Sequence, residues 1–318
     1  LIETVGEKVP FLVKICGILI QQSHHCCHFP SIEISKMKQV QTVIVQFLVA
    51  MTIGCLGWYS VSPLIPIEAA PPSTPRPSQP PQQTKPVSPQ PVIEPQPEAL
   101  RNKHRIVVVG DSITQSGGQY GGYVWLLQRY LNFLYPQQPL ELISSGVSGN
   151  TSALLSERFK QDVLDQKPDL ITINIGVNDV LQSFQTPTPA RPNIPNPQEY
   201  RQNLTAMVEL ATAKGIPVLL LSPTIIYENL SSRENQRIAE YIAVMREVAL
   251  QYRCQFIDLN VPFRHVIITY QRYGGQGQNL LTRDGIHPNI AGHQIIAYTI
   301  LKGWGVPEPK IQSLKLND

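Results

Sequence analysis

Five short apolar runs, separated by stretches of helical spacing, constrain this chain more than any other feature of its sequence. "RIVVVG" (105–110), "ELISSG" (141–146), "DLITINIG" (169–176), "IPVLLLS" (216–222) and "QFIDL" (255–259) read as strands buried on both faces. Between them, Val124, Leu127, Leu131 and Leu134 form one helical stripe. Leu204, Met207, Val208 and Ala211 form a second, Ile238, Ile242, Met245 and Ala249 a third, and a last helix is expected over 291–301. Strands buried on both faces need helices on both sides. The pattern therefore predicts an α/β fold, a three-layer α/β/α sandwich around a five-stranded parallel sheet. In such sheets the binding crevice lies outside the carboxyl ends of the strands, so the residues placed there decide function.

Those ends carry polar clusters. Gly110-Asp111-Ser112 follows the first run, "GVSGNTS" (146–152) the second, and Gly176-Val177-Asn178-Asp179 the third; "RDGIHPN" (283–289) lies past the fifth. Together they hold what acyl transfer at neutral pH requires: a hydroxyl nucleophile, a base, a group that orients the base, and donors for an oxyanion. Ser112 supplies the hydroxyl. His287 is the natural base, since imidazole changes charge near the working pH. Asp284, three residues earlier in a turn-rich segment, can point to the same side and accept the other ring N–H. The backbone N–H groups of Ser112 and Gly149 and the side-chain amide of Asn178 are the candidate oxyanion donors. Glycine at 149 avoids a side chain that would crowd substrate and restrict the backbone. Each cluster alone is also an ordinary turn or cap; their order and common placement at strand ends favour the catalytic reading.

"GDSIT", "GVSGN", "GVND" and "DGIHPN", in this order, resemble the four sequence blocks of the GDSL/SGNH hydrolase family over residues 105–301. The resemblance implies a flavodoxin-like sheet and a metal-free serine esterase mechanism without cofactor. It makes Ser112 the nucleophile, Gly149 and Asn178 members of the oxyanion hole, and Asp284 with His287 the rest of a triad. Ile113 stands where the family name has leucine. The compatible substrates are glycan, lipid and small-molecule esters. A carbohydrate O-acyltransferase, a lysophospholipase and a non-catalytic binding module are the alternatives.

Other residues invite plainer readings. Asp111 and Asp179 are expected to bond the loop amides that hold Ser112 and Asn178, and His293 to lie on a helix surface. Gly117, Gly118, Gly121 and Gly122 suggest a loop that adjusts to different acyl groups. The segments 182–200 and 272–283 are expected to flank the site as long loops. Gly-x-Ser-x-Gly is absent, Thr114 occupying its last position, and so are the glycine patterns of nucleotide-binding loops.

The remainder of the chain bears on location. Of 318 residues, 29 are proline, and many of these crowd into 70–100, a composition that cannot bury a core and forms an extended linker. Lys36 and Lys38 precede an apolar run over 43–61, close to the roughly 20 residues that cross a bilayer. The expected organisation is a leader at 1–36 with Met37 as the start, a signal-anchor or signal peptide at 37–66, and the linker at 67–100. A hydrolase domain at 101–305 and a tail at 306–318 follow. Lysines on the amino side of the apolar run put the catalytic domain outside the cytoplasm, anchored to the membrane or secreted after cleavage. "HHCCH" (24–28) lacks the ligand separation that zinc needs. Only Cys254 of the five cysteines lies beyond the apolar run, so no disulfide framework is expected in the exported part. A net charge of +3 without a basic stripe gives no argument for nucleic acid, and none is expected as partner.

Overall fold

The computed structural model of the chain describes residues 95–185, 196–275 and 279–314. The expected leader, the anchor and all but the end of the linker lie outside the described residues. Among the described residues no helix is long and apolar enough to cross a membrane.

Five strands form one parallel sheet: β1 (Arg105–Gly110), β2 (Glu141–Gly146), β3 (Leu170–Asn174), β4 (Val218–Leu221) and β5 (Gln255–Ile257), in the order β2-β1-β3-β4-β5. This is the flavodoxin-like arrangement, in which the chain reverses its direction of travel between β1 and β3. The register runs from Arg105 beside Glu141 to Gly110 beside Gly146, and on the other side from Ile106 beside Leu170 to Gly110 beside Asn174. Ile106 to Val109 of β1, and all of β3 and β4, are buried, as predominantly apolar runs demand. The edge strands β2 and β5 are only partly covered. The third to fifth runs are trimmed at their ends; Pro217, with no N–H to give, precedes β4.

Helices α1 (Ser112–Gly117) and α2 (Tyr123–Leu134) follow β1, and α3 (Ser152–Asp162) follows β2. Helices α4 (Val177–Ser183) and α5 (Pro197–Thr212) follow β3, and α6 (Arg233–Tyr252) follows β4. Beyond β5 lie α7 (Asn260–Arg272), α8 (Ile290–Gly303) and α9 (Glu308–Ser313). Helix α8 packs on α2, while α3, α5 and α6 pack in succession, completing the two outer layers. Polar side chains start these helices: Asp111, Thr151, Asn196, Ser232 and Asn289 each accept a backbone N–H of the first turn. Asn196 and Glu199 form a full capping box ahead of α5. Packing reaches past 101–305 at both ends, since Gln96 and Leu100 are buried before it and Ile311 and Leu314 after it.

Several expected loops are helical. The glycine-spaced stretch after Ser112 begins with α1, and Gly117, Gly118 and Gly122 allow close packing, while Gly121 has φ +77° and open space around it. A Cβ on Gly117 would lie 2.6 Å from the Tyr123 ring, and one on Gly122 2.3 Å from the Ser116 carbonyl oxygen. Of the segment 182–200, Gln182 and Ser183 close α4 and Pro197 to Tyr200 open α5; residues 186–195 lie outside the described residues. Within 272–283, residues 276–278 lie outside them as well.

Candidate active site

The carboxyl ends of β1 and β3, where the chain reverses direction, hold two of the four polar clusters, and the others fold against them. Ser112 is the first residue of α1, half-buried, immediately after its cap Asp111. Its Oγ lies 2.8 Å from His287 Nε2, and His287 Nδ1 lies 2.7 Å from Asp284 Oδ2. Ser112 and His287 are 175 residues apart in the chain, so this contact is the work of the fold.

Local chemistry sets the Asp284–His287 geometry. Asp284 Oδ1 accepts the backbone N–H groups of Ile286 (3.0 Å) and His287 (2.8 Å), closing a tight turn that turns the ring back onto Oδ2. Gly285 sits in that turn with φ +91°. Partial burial raises the Asp284 carboxyl, but the His287 and Ile286 amides and the imidazole outweigh it and bring the group down to about 2. The loop is fastened from outside by Glu228. Its Oε1 accepts from the N–H groups of Leu281 (2.7 Å) and Thr282 (2.9 Å) and from the Thr282 hydroxyl (2.9 Å). Sequence reasoning missed Glu228, because its partners are backbone amides more than fifty residues away.

Gly149 is exposed with φ +77°, a conformation that side chains rarely adopt, and an added Cβ would meet no protein atom within 4 Å. Backbone conformation, not crowding by the protein, accounts for glycine here. Asn178, half-buried at the start of α4, donates from Nδ2 to the Asn150 carbonyl at 3.0 Å, which leaves its second amide hydrogen uncommitted by that bond. The Gly149 loop and α4 are thus joined.

The two supporting aspartates differ in what they hold. Asp111 Oδ1 accepts the Ile113 N–H at 2.9 Å, as expected, fixing the turn that carries Ser112. Asp179 also reaches across to the glycine loop: it accepts the N–H of Ser152 at 3.0 Å and its hydroxyl at 2.6 Å, anchoring the start of α3. Both are buried. Burial pushes Asp111 up to about 7, opposed by the Ile113 amide and reinforced by the Asp179 charge. Burial likewise pushes Asp179 up to about 6 against its Ser152 hydrogen bonds. Asp111 Oδ2 has no hydrogen-bond partner among the described residues. His293 is not on a helix surface: it is 5% exposed, its ring stacked beside that of Tyr123, because α8 is apolar on nearly every side. Burial, with the Arg283 and His287 charges, lowers it to about 4 and keeps it neutral at pH 7.

These buried acids make stability depend on pH. A carboxyl whose folded value lies above its free value of 3.8 retains its proton in the folded state while the unfolded chain releases it. Stability from Asp111 is therefore greatest below about pH 4 and falls as pH rises through about 7. Asp111→Asn keeps an oxygen for the Ile113 amide and removes the titration. Melting of the full chain at pH 5 and pH 8 is expected to show the variant losing less stability than the wild type, by on the order of 2 kcal/mol. Parallel pH profiles for the two would contradict the assignment.

A hydroxyl, an imidazole and a carboxylate in line can move a proton off the hydroxyl as its oxygen attacks an electrophile. Among the described residues no group of three or more histidine, cysteine, aspartate or glutamate side chains is placed to hold a metal ion.

The sequence model of the GDSL-like lipase/acylhydrolase family matches residues 108–295. The chain is similar to the acetylxylan esterase of Geobacillus stearothermophilus, 29% identical over 212 residues that cover 63% of this chain and 94% of that protein. It is also similar to the esterase TesA of Pseudomonas aeruginosa, 30% identical over 188 residues, covering 58% of this chain and 80% of that protein. Among solved structures, an alpha/beta hydrolase enzyme from the metagenome of Lake Arreo, Spain, is 33% identical with a TM-score of 0.55, covering 64% of this chain and 95% of its own. Structures of the Geobacillus esterase (26–27% identical, TM-score 0.57–0.58, covering 64–66% of this chain and 95–97% of theirs) include catalytic mutants in which a serine, an aspartate or a histidine is replaced.

Proposed function

Because this chain belongs to the GDSL-like lipase/acylhydrolase family and is a hydrolase acting on ester bonds, we propose that it removes short acyl groups, acetyl above all, with Ser112 as nucleophile. His287 is the general base and acid, and Asp284 orients the imidazole and balances its charge. The observation that carries this reading is the unbroken line of two short hydrogen bonds from Ser112 Oγ through His287 to Asp284. The catalytic mutants of the Geobacillus esterase, at serine, aspartate and histidine, support it.

The chemistry follows from that line. As Ser112 Oγ bonds to the ester carbonyl carbon, its proton passes to His287 Nε2, and the imidazolium is stabilised by Asp284. The carbonyl electrons move onto oxygen, where the Ser112 and Gly149 N–H groups and the free hydrogen of the Asn178 amide receive them. The intermediate collapses with cleavage of the bond to the alcohol oxygen, which takes the proton from His287. Water, losing a proton to His287, then bonds to the acyl carbon, and the bond to Ser112 Oγ breaks as Oγ takes that proton back, releasing the acid. Asp111 and Asp179 support this set by fixing the turns on either side of it.

The name of the Geobacillus relative favours acetyl groups on a glycan as substrate. An apolar run at 43–61 behind a proline-rich linker fits an enzyme tethered outside the cytoplasm, or secreted after cleavage, that acts on envelope or extracellular esters. The full chain, assayed with p-nitrophenyl acetate, butyrate and octanoate and with acetylated xylo-oligosaccharides, is expected to favour acetate over octanoate by at least about tenfold in kcat/KM and to release acetate from the glycan. Preference for octanoate would move the assignment to lipid esters.

A further inference from the structure

One side chain outside the hydroxyl–imidazole–carboxylate line touches the backbone segments that surround it. Arg158 projects from α3 with 15% of its side chain exposed. Its Nε donates to Asn150 Oδ1 (2.6 Å), Nη1 to Ser145 Oγ (3.3 Å) and Asp162 Oδ2 (3.2 Å), and Nη2 to the carbonyls of Gly110 (2.9 Å) and Ser145 (3.0 Å). These bonds use every N–H that a guanidinium possesses. A lysine, with three donors on a single nitrogen and no planar fork, cannot reproduce them.

The partners are not scattered. Gly110 ends β1, two residues before Ser112. Ser145 is the penultimate residue of β2, just ahead of the Gly149 loop. Asn150 follows Gly149, and its carbonyl is the acceptor for Asn178. Burial works against the arginine charge, and the Asp162 carboxylate, one helical turn away, offsets this. Oxyanion donors must sit within a few tenths of an ångström of their place, and a displacement of about 1 Å costs on the order of 10²-fold in rate.

We infer that Arg158 is the positioning residue of the oxyanion hole, fixing the spacing between the segments that carry the Ser112 and Gly149 amides and, through Asn150, the Asn178 amide. The inference rests on the assignment of those three donors above. Arg158 does not touch substrate; it acts by holding two strand ends and one loop in register.

Kinetics of the full chain with p-nitrophenyl acetate, alongside circular dichroism and melting curves, provide the test. Arg158→Gln is expected to remain folded and lose about 10²-fold in kcat with KM changed less than about threefold; Arg158→Lys falls between it and wild type. Asn178→Ala alone is expected to lose about 10²–10³-fold in kcat. The double variant should then fall no more than about threefold below Asn178→Ala, because both changes damage one hole and their losses do not multiply. Losses that multiply, or an Arg158→Gln enzyme within about threefold of wild-type kcat, overturn the inference. Should Arg158→Gln not fold, Asn150→Ala cuts only the link to the glycine loop. An expected loss of about tenfold in kcat supports the inference, and an unchanged kcat overturns it. An unslowed Asn178→Ala enzyme overturns the donor assignment and this inference with it. A slowed Asn178→Ala beside a wild-type-like Arg158→Gln overturns this inference alone.

Discussion

Ser112→Ala is expected to leave a folded protein whose kcat on p-nitrophenyl acetate is lower by about 10⁶-fold, with little change in KM. The loss is this large because, in the proposed mechanism, the hydroxyl bonded to His287 Nε2 is the atom that attacks the acyl carbon. Wild-type protein should also be labelled by a fluorophosphonate at Ser112, with one label per chain and loss of activity in step. The variant should take no label. Activity or labelling that persists in Ser112→Ala would assign the chemistry to another residue.

Asp284→Asn should lower kcat by about 10⁴-fold. Asparagine can still accept the Ile286 and His287 amides through its oxygen, so the turn is expected to survive and melting to change little. What disappears is an acceptor for the Nδ1 proton of His287, and with it the tautomer that leaves Nε2 free to take the serine proton. Because the Asp284 carboxyl titrates at about 2, it stays ionised above that pH, and any acid limb of the wild-type rate profile in the range from about 4 upward belongs to another group. A variant within tenfold of wild type would reduce Asp284 to a turn former.

The parts of this molecule that could be read from the sequence are those whose signal is local. The β1 and β4 runs are apolar almost throughout, and β3 mostly so, because both faces are covered, and α2, α5 and α6 carry stripes long enough to show a period. Helices α1 and α4 span only six and seven residues, too few to repeat a pattern, and their polar residues look like turns. His293 misled because α8 has almost no wet face, so a polar residue within it is not thereby on the surface. The Asp284–His287 pair was legible from a three-residue spacing. Arg158, Glu228 and the Asp179–Ser152 bond were not: the first two bind mainly or partly to main-chain groups, which every residue has, and all three reach across the fold.

The Glu228 clamp has an evolutionary consequence. The histidine-bearing loop is fastened at Leu281 and Thr282, where the stretch from α7 enters it, by a carboxylate on a neighbouring loop. Sequence change on the α7 side of this clamp is thereby separated from the imidazole. Selection for a new leaving group can act on one piece of chain while the proton relay next to it stays in place, a separation that lets a single catalytic core diversify its targets at low risk to turnover.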